Sequence, residues 1–144
     1  MPEVIQQLKL SHEGALTILD AAIAKAVDMG VPQCITIVDD GGNLLAMVRM
    51  DGAKVLSIDT SLTKARTAAS DRRPTGQRPP EAEIKIALAS QNQVTNLLGG
   101  LPIVVDGQTI GGIGVGSGSG QQDVEVARAG VAALKGAETF SDAA

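Results

Sequence analysis

Leu16, Leu19, Ile23, Ala26 and Val27 recur at helical spacing between Ser11, a good N-cap, and Gly30, a good helix terminator. The pattern predicts a first helix over about residues 12–29. The period then changes. Cys34-Ile-Thr-Ile-Val-Asp-Asp40 and Leu44-Leu-Ala-Met-Val-Arg-Met50 are apolar, β-rich runs around Gly41-Gly42-Asn43, which predicts a β-hairpin. Residues 56–72 are mostly good helix formers, and Ala65, Ala68 and Ala69 give that helix a small-residue surface suited to close packing. Residues 73–80 carry two arginines and three prolines and read as a loop. A short helix over residues 81–92 follows, with Pro79 and Pro80 before it and Glu81 and Glu83 in its first turn.

A second hairpin is predicted over residues 101–105 and 108–115, joined by Asp106-Gly107, a strong type I′ signal. A last helix, about residues 121–135, would turn Val124, Ala127, Val131 and Leu134 inward, and residues 136–144 read as a flexible tail. Helix, hairpin, helix, helix, hairpin, helix implies an antiparallel sheet with helices packed on it. The expected fold class is therefore α+β, in one domain over residues 1–144 with its core at about 8–135.

Composition narrows the function more than the fold. The 144 residues are 44% hydrophobic and 19% charged with a net charge of −4, which suits a globular protein and disfavours nucleic acid as a partner. Arg66, Arg72, Arg73 and Arg78 nevertheless fall within 13 residues. They form either a solvated helix end and loop or a pocket for an anion. Cys34 is the only cysteine and reads as a buried strand residue, so neither an intrachain disulfide nor a cysteine zinc cage is available. Phe140 is the sole aromatic residue, so a flat ligand would be held by aliphatic walls. Neither a signal peptide nor a membrane span is evident, which makes the cytoplasm the default expectation.

The run Gly111-Gly-Ile-Gly-Val-Gly-Ser-Gly-Ser-Gly120 invites a dinucleotide reading, but 24 residues after Gly120 leave no room for the rest of a βαβ unit. A strand with close backbone approach, feeding a turn, is the better expectation. His12, the only histidine, is an exposed first-turn residue or a ligand to a metal or haem iron. Asp39 and Asp40 adjoin a turn and, as neighbours on a strand, point to opposite sides. Lys64 and Arg66 lie two apart on a helix and diverge.

Several stretches together resemble the haem-binding, GlcG-like family: Ile37-Val-Asp-Asp-Gly-Gly-Asn-Leu, Arg49-Met-Asp-Gly-Ala53, Lys64-Ala-Arg-Thr-Ala68, Gly99-Gly-Leu-Pro-Ile103, Ile113-Gly-Val115, and Asp123 with its helix. The resemblance implies a profilin-like α/β/α fold, homo-oligomers, haem or another tetrapyrrole as ligand, and a role near small-acid or diol catabolism. It also implies an axial histidine near the start of helix one, where His12 falls. After Ile113-Gly-Val115 the family reads Ser-Gly, whereas this chain has Gly116-Ser117, which moves a hydroxyl to the other side of the segment.

Three functions follow. In a tetrapyrrole binder, His12 would ligate iron and the arginine-rich stretch or the glycine-loop amides would meet the propionates. The ligand-contact candidates are His12, Arg49, Lys64, Arg66, Gly116 and Ser117. In a cofactor-independent tautomerase, hydratase or lyase, Arg66 or Arg49 would clamp a small carboxylate, with Asp39, His12 or Glu81 moving the proton; the catalytic candidates are Asp39, Arg66 and Glu81. In an accessory oligomer, Ala65, Ala68 and Ala69 or Gly99 and Gly100 would form subunit contacts. No membrane or nucleic-acid partner is expected.

Overall fold

A computed structural model describes residues 1–141. In chain order the elements are α1 (His12–Met29), β1 (Cys34–Asp39), β2 (Leu44–Arg49), α2 (Leu56–Asp71), α3 (Pro80–Ala89), β3 (Gly100–Val105), β4 (Gln108–Gly116) and α4 (Gly120–Ala132). Ser11 caps α1 by accepting from the Gly14 amide, and Gly30 ends it in the left-handed region at φ 69°. The α3 helix stops three residues short of its expected end. The Ser90 hydroxyl bonds back to the Ile86 carbonyl, and Gln91 and Asn92 both turn to positive φ. The α4 helix also ends early, at Ala132, and starts from a Ser119–Gln122 capping box.

The four strands form one antiparallel sheet in the order β2-β1-β4-β3. Asp106 and Gly107 both have positive φ, the signature of the type I′ turn expected between β3 and β4. Period-2 alternation divides the sheet between two layers. Ile35, Ile37, Ile113 and Val115 face α1 and α4 in the main core, while Val38 meets Ala65 and Ala69 of α2 on the opposite face. The class is α+β, as expected, with helices on both faces of the sheet.

The inward faces of two helices differ from expectation. Leu16 and Val27 of α1 point outward, and its buried line is Ala15, Ile18, Leu19, Ala22 and Ala26. In α4 the buried line is Asp123, Val126, Ala127, Gly130 and Val131, with Val124 only half-buried. The reason is shared. Each helix approaches its neighbour along alanine and glycine, so a Cβ at Gly130 would stand only 3.1 Å from Ile18.

That closeness is greatest between α2 and β4. Gly112, Gly114 and Gly116 alternate along the face of β4 that α2 covers. A Cβ at Gly114 would overlap the Ser61 carbonyl oxygen, and one at Gly112 would overlap that of Ala65. On β3, a Cβ at Gly100 would stand 2.5 Å from the Lys64 carbonyl oxygen. The small-residue faces proposed for subunit contact, Ala65, Ala68 and Ala69 with Gly99 and Gly100, are therefore consumed inside the chain.

Beyond α4 the chain stays on the body. Ala137 bridges Val105, the Glu138 amide donates to the Val104 carbonyl, and Phe140 packs on the core. This part of the expected flexible tail is anchored, and residues 142–144 lie outside the described residues.

Gly114→Ala should cost about 3 kcal/mol or more, because the obstructing atoms are helix backbone and cannot rotate away. Gly107→Ala, at φ 74° with open space around it, should cost only about 1 kcal/mol. Urea unfolding of both variants measures the difference. Equal losses would show that α2 yields readily.

Candidate functional site

The sheet has two ends, and the residues singled out from the sequence divide between them. At one end β1 begins and β4 finishes: Cys34 lies opposite both Arg49 and Gly116. At the other end lies the β1–β2 turn, where Arg66 donates to the Gly42 carbonyl (2.9 Å). His12 belongs to this second end, since Gln7, shortly before it, donates to the Asp40 carboxylate. Arg49 and Arg66 thus occupy opposite ends of the sheet.

At the first end the polar groups are largely committed to structure. Lys64 points inward from α2, with its Nζ donating to the Val115 carbonyl (2.7 Å) and to Asp123 Oδ2 (3.1 Å). Their side chains are only 6% and 3% exposed. The other Asp123 oxygen accepts from the Gly118 amide (3.0 Å). The buried Gln33 amide is oriented by its neighbours to donate to the same oxygen (2.9 Å) and to the Gly116 carbonyl. Burial pushes the Asp123 carboxyl above its ordinary pKa, and Lys64 and the other donors only partly offset it. Ser117 holds φ 92° and accepts from the Lys54 amide (2.9 Å), so its hydroxyl ties the β4–α4 turn to the segment before α2. Arg49 is exposed at the end of β2.

Cys34 is fully buried, as expected, and accepts a contact from the Ser61 hydroxyl (3.5 Å), which also pairs with Thr36 (2.8 Å). Burial raises the thiol pKa, the reverse of what a nucleophile needs.

The second end is more open. Asp39 Oδ1 accepts from the Gly41 and Asn43 amides (both 2.9 Å) and from Asn43 Nδ2 (3.2 Å), so this carboxylate organises the turn. Asp40 points away from it, toward Gln7. Arg66, diverging from Lys64 as the helical spacing requires, lies over Gly42 and also donates to Gln93 (3.3 Å). A groove of about 360 Å³ runs between this turn, α2 and the segment after α3. A larger hollow of about 730 Å³ lies on α4 beneath Phe140, and a smaller one of about 280 Å³ lies between α2 and the segment around Ala87 and Thr95. Neither His12 nor Glu81 lines any of the three; Glu81 is exposed on α3, a helix that buries no residue.

The arginine-rich stretch does not converge. Arg78 pairs with Asp71 (Nη2–Oδ1 3.0 Å), Arg72 supplies the left-handed C-cap of α2, and Arg73 is exposed. Of these four arginines, Arg66 alone lines one of the three hollows described above. The residues that spacing did not reveal are Asp123 as the partner of Lys64, and Gln33 beside it. A carboxylate in the first turn of a helix reads as a dipole partner, and only the tertiary packing turns it inward.

Comparison with known proteins agrees with this architecture. The family model for haem degrading protein HbpS-like matches residues 10–132, and the chain belongs to that family. Protein GlcG of Escherichia coli (strain K12) is 40% identical over 107 residues, covering 74% of this chain and 80% of that protein. A double mutant of HbpS from Streptomyces reticuli is similar at 34% identity with a TM-score of 0.82, covering 92% of this chain and 91% of that one. The PduOC:heme complex gives a TM-score of 0.84 at 27% identity, over 93% of this chain and all of that chain (100%). No helix among the described residues is long and apolar enough to cross a membrane.

Lys64→Met should strand a buried carboxylate and cost about 3–5 kcal/mol at neutral pH. The sign of its pH dependence follows from Asp123, whose folded pKa lies above its unfolded one. The folded state holds that proton more tightly, so the group favours folding at acid pH and loses this contribution as pH rises through the folded pKa. Removing Lys64 raises the folded value further. The gap between wild type and Lys64→Met should therefore narrow as pH falls from 7 toward 4 in urea unfolding; a constant gap would contradict this account.

Proposed function

We infer that the protein binds haem or a related tetrapyrrole, with His12 as the iron ligand. The observation that carries the reading is the placement of the chain's only imidazole on the surface at the first residue of α1, in a fold shared with a haem complex. Leu16 follows one helical turn later and is 46% exposed, so an apolar side chain stands on the imidazole's own face of the helix. Val4, Ile5 and Leu8 are exposed in the segment leading to it. An accessible nitrogen donor beside uncovered aliphatic groups suits an iron porphyrin, whose plane needs apolar contact and whose metal accepts imidazole. With one aromatic residue in the chain, aliphatic contact is the means available.

His12 would hold the iron and Leu16 would cover part of the macrocycle. Bound haem would supply an iron centre able to change oxidation state or take a further ligand. The glycine-loop amides are poor partners for the propionates, since Gly118 N already serves Asp123 and Ser119 N serves Gln122. Of the arginine-rich stretch, Arg72 and Arg73 are exposed and would be the candidates for that role. Family membership supports the ligand class. The exposed imidazole supports the contact.

Titration of the apo protein with haemin at micromolar concentration should shift the Soret band. His12→Ala should weaken binding at least tenfold while leaving the thermal unfolding midpoint near wild type, because an exposed first-turn side chain carries little of the fold. A wild type that produces no Soret shift, or a variant that binds equally well, would overturn the assignment.

A further inference from the structure

We propose that the groove at the β1–β2 turn is a binding site for a small 2-hydroxycarboxylate, separate from the His12 surface. The carboxylate would be held by Arg66 and the hydroxyl by Asp40. Arg66 is half-buried, and its two hydrogen bonds are to neutral partners, the Gly42 carbonyl and the Gln93 side-chain oxygen. Among the described residues no carboxylate lies within ion-pair distance of it, in contrast to Lys64 and Arg78. A guanidinium fixed by neutral groups keeps its charge uncompensated and its remaining N–H groups free for a planar anion.

The turn is shaped around this side chain. Gly42 has φ 80°, and a Cβ there would stand 3.3 Å from Arg66 Cγ, so glycine lets the arginine stem lie flat over the turn. The Asp39 carboxylate holds that turn through bonds from the Gly41 and Asn43 amides and from Asn43 Nδ2, and Asp40 lies on the groove wall. Asp40 Oδ2 accepts from Gln7 Nε2, which leaves Oδ1 as the acceptor for a hydroxyl, and the carboxylate repels a second carboxylate. Ser70 lies one turn beyond Arg66 on the same wall, adding a neutral polar group. A volume of about 360 Å³ sits at the small end of ligand pockets, suited to a molecule of a few carbons. Arg66 and His12 belong to helices on opposite faces of the sheet and so serve different sites, with the Gln7–Asp40 hydrogen bond running between the segments beside them.

Three probes of matched size separate the parts of the claim: lactate, propanoate and propane-1,2-diol. In NMR titrations of the full chain, lactate should shift the amides of Gly42 and Asn43 saturably. Propanoate should bind at least fivefold more weakly, and the diol should not bind. Arg66→Gln should weaken lactate binding at least tenfold, Gly42→Ala should weaken it by displacing the arginine, and Asp40→Asn should remove the preference for lactate over propanoate. Thermal melts and the haemin titration should be unchanged in Arg66→Gln, and lactate binding unchanged in His12→Ala. Absence of saturable shifts at the turn in wild type, or lactate binding that survives Arg66→Gln, would overturn the proposal. Loss of haemin binding with intact lactate binding would count against the haem reading alone.

Discussion

The structure depends on how closely α2 lies against β4. Three glycines at alternate positions, Gly112, Gly114 and Gly116, strip one face of the strand of side chains, and the helix backbone occupies the space. The helix answers with Ser57, Ser61, Ala65, Ala68 and Ala69. Ordinary helix-on-sheet packing keeps a layer of large side chains between the elements. Here the layer is nearly absent, and carbonyl oxygens of α2 touch strand Cα positions. Such an arrangement fixes the rotation of α2 about its axis, because a large side chain turned toward the strand would meet its backbone.

From that fixed rotation the two cations of α2 acquire their separate tasks. Lys64 is turned toward Val115 and reaches Asp123 on α4, so one ammonium links a helix on one face of the sheet to a helix on the other. Burying such a pair costs desolvation that its attraction only partly returns. Extra donors to the carboxylate, Gly118 and Gln33, reduce the shortfall. The pair joins the helical layers at the end where β4 stops. Arg66, two residues on, is turned outward to the β1–β2 turn, where no carboxylate of the described residues lies within ion-pair distance of it.

Lys64 and Arg66 are thereby sent to opposite ends of the sheet. At the end with Gly116 and Ser117 the buried polar groups hold segments together, and Arg49 is exposed. The end with the β1–β2 turn keeps an exposed imidazole on one face and a poised guanidinium on the other. Membership of the HbpS-like family covers residues 10–132, so both of these features lie on the part of the chain that defines the family. Gly116 and Ser117 lie at the opposite end, where the Ser117 hydroxyl bonds the chain's own backbone.

What the amino-acid sequence determined by itself was local or periodic. Ser11 and Gly30 bounded α1, Asp106-Gly107 set the second hairpin's turn, and the order of elements required an antiparallel sheet. The glycines of β4 and the alanines of α2 signalled close backbone approach, although not that each was the other's partner. Caps and turns are legible because their energetics lie within a few neighbouring residues. Tertiary structure alone decided which side of α1 and α4 was buried, that Lys64 would meet Asp123, and that Arg66 would leave the other arginines for a turn. Those outcomes depend on which groups from distant parts of the chain compete for the same buried space. Spacing along one element carries no record of that competition.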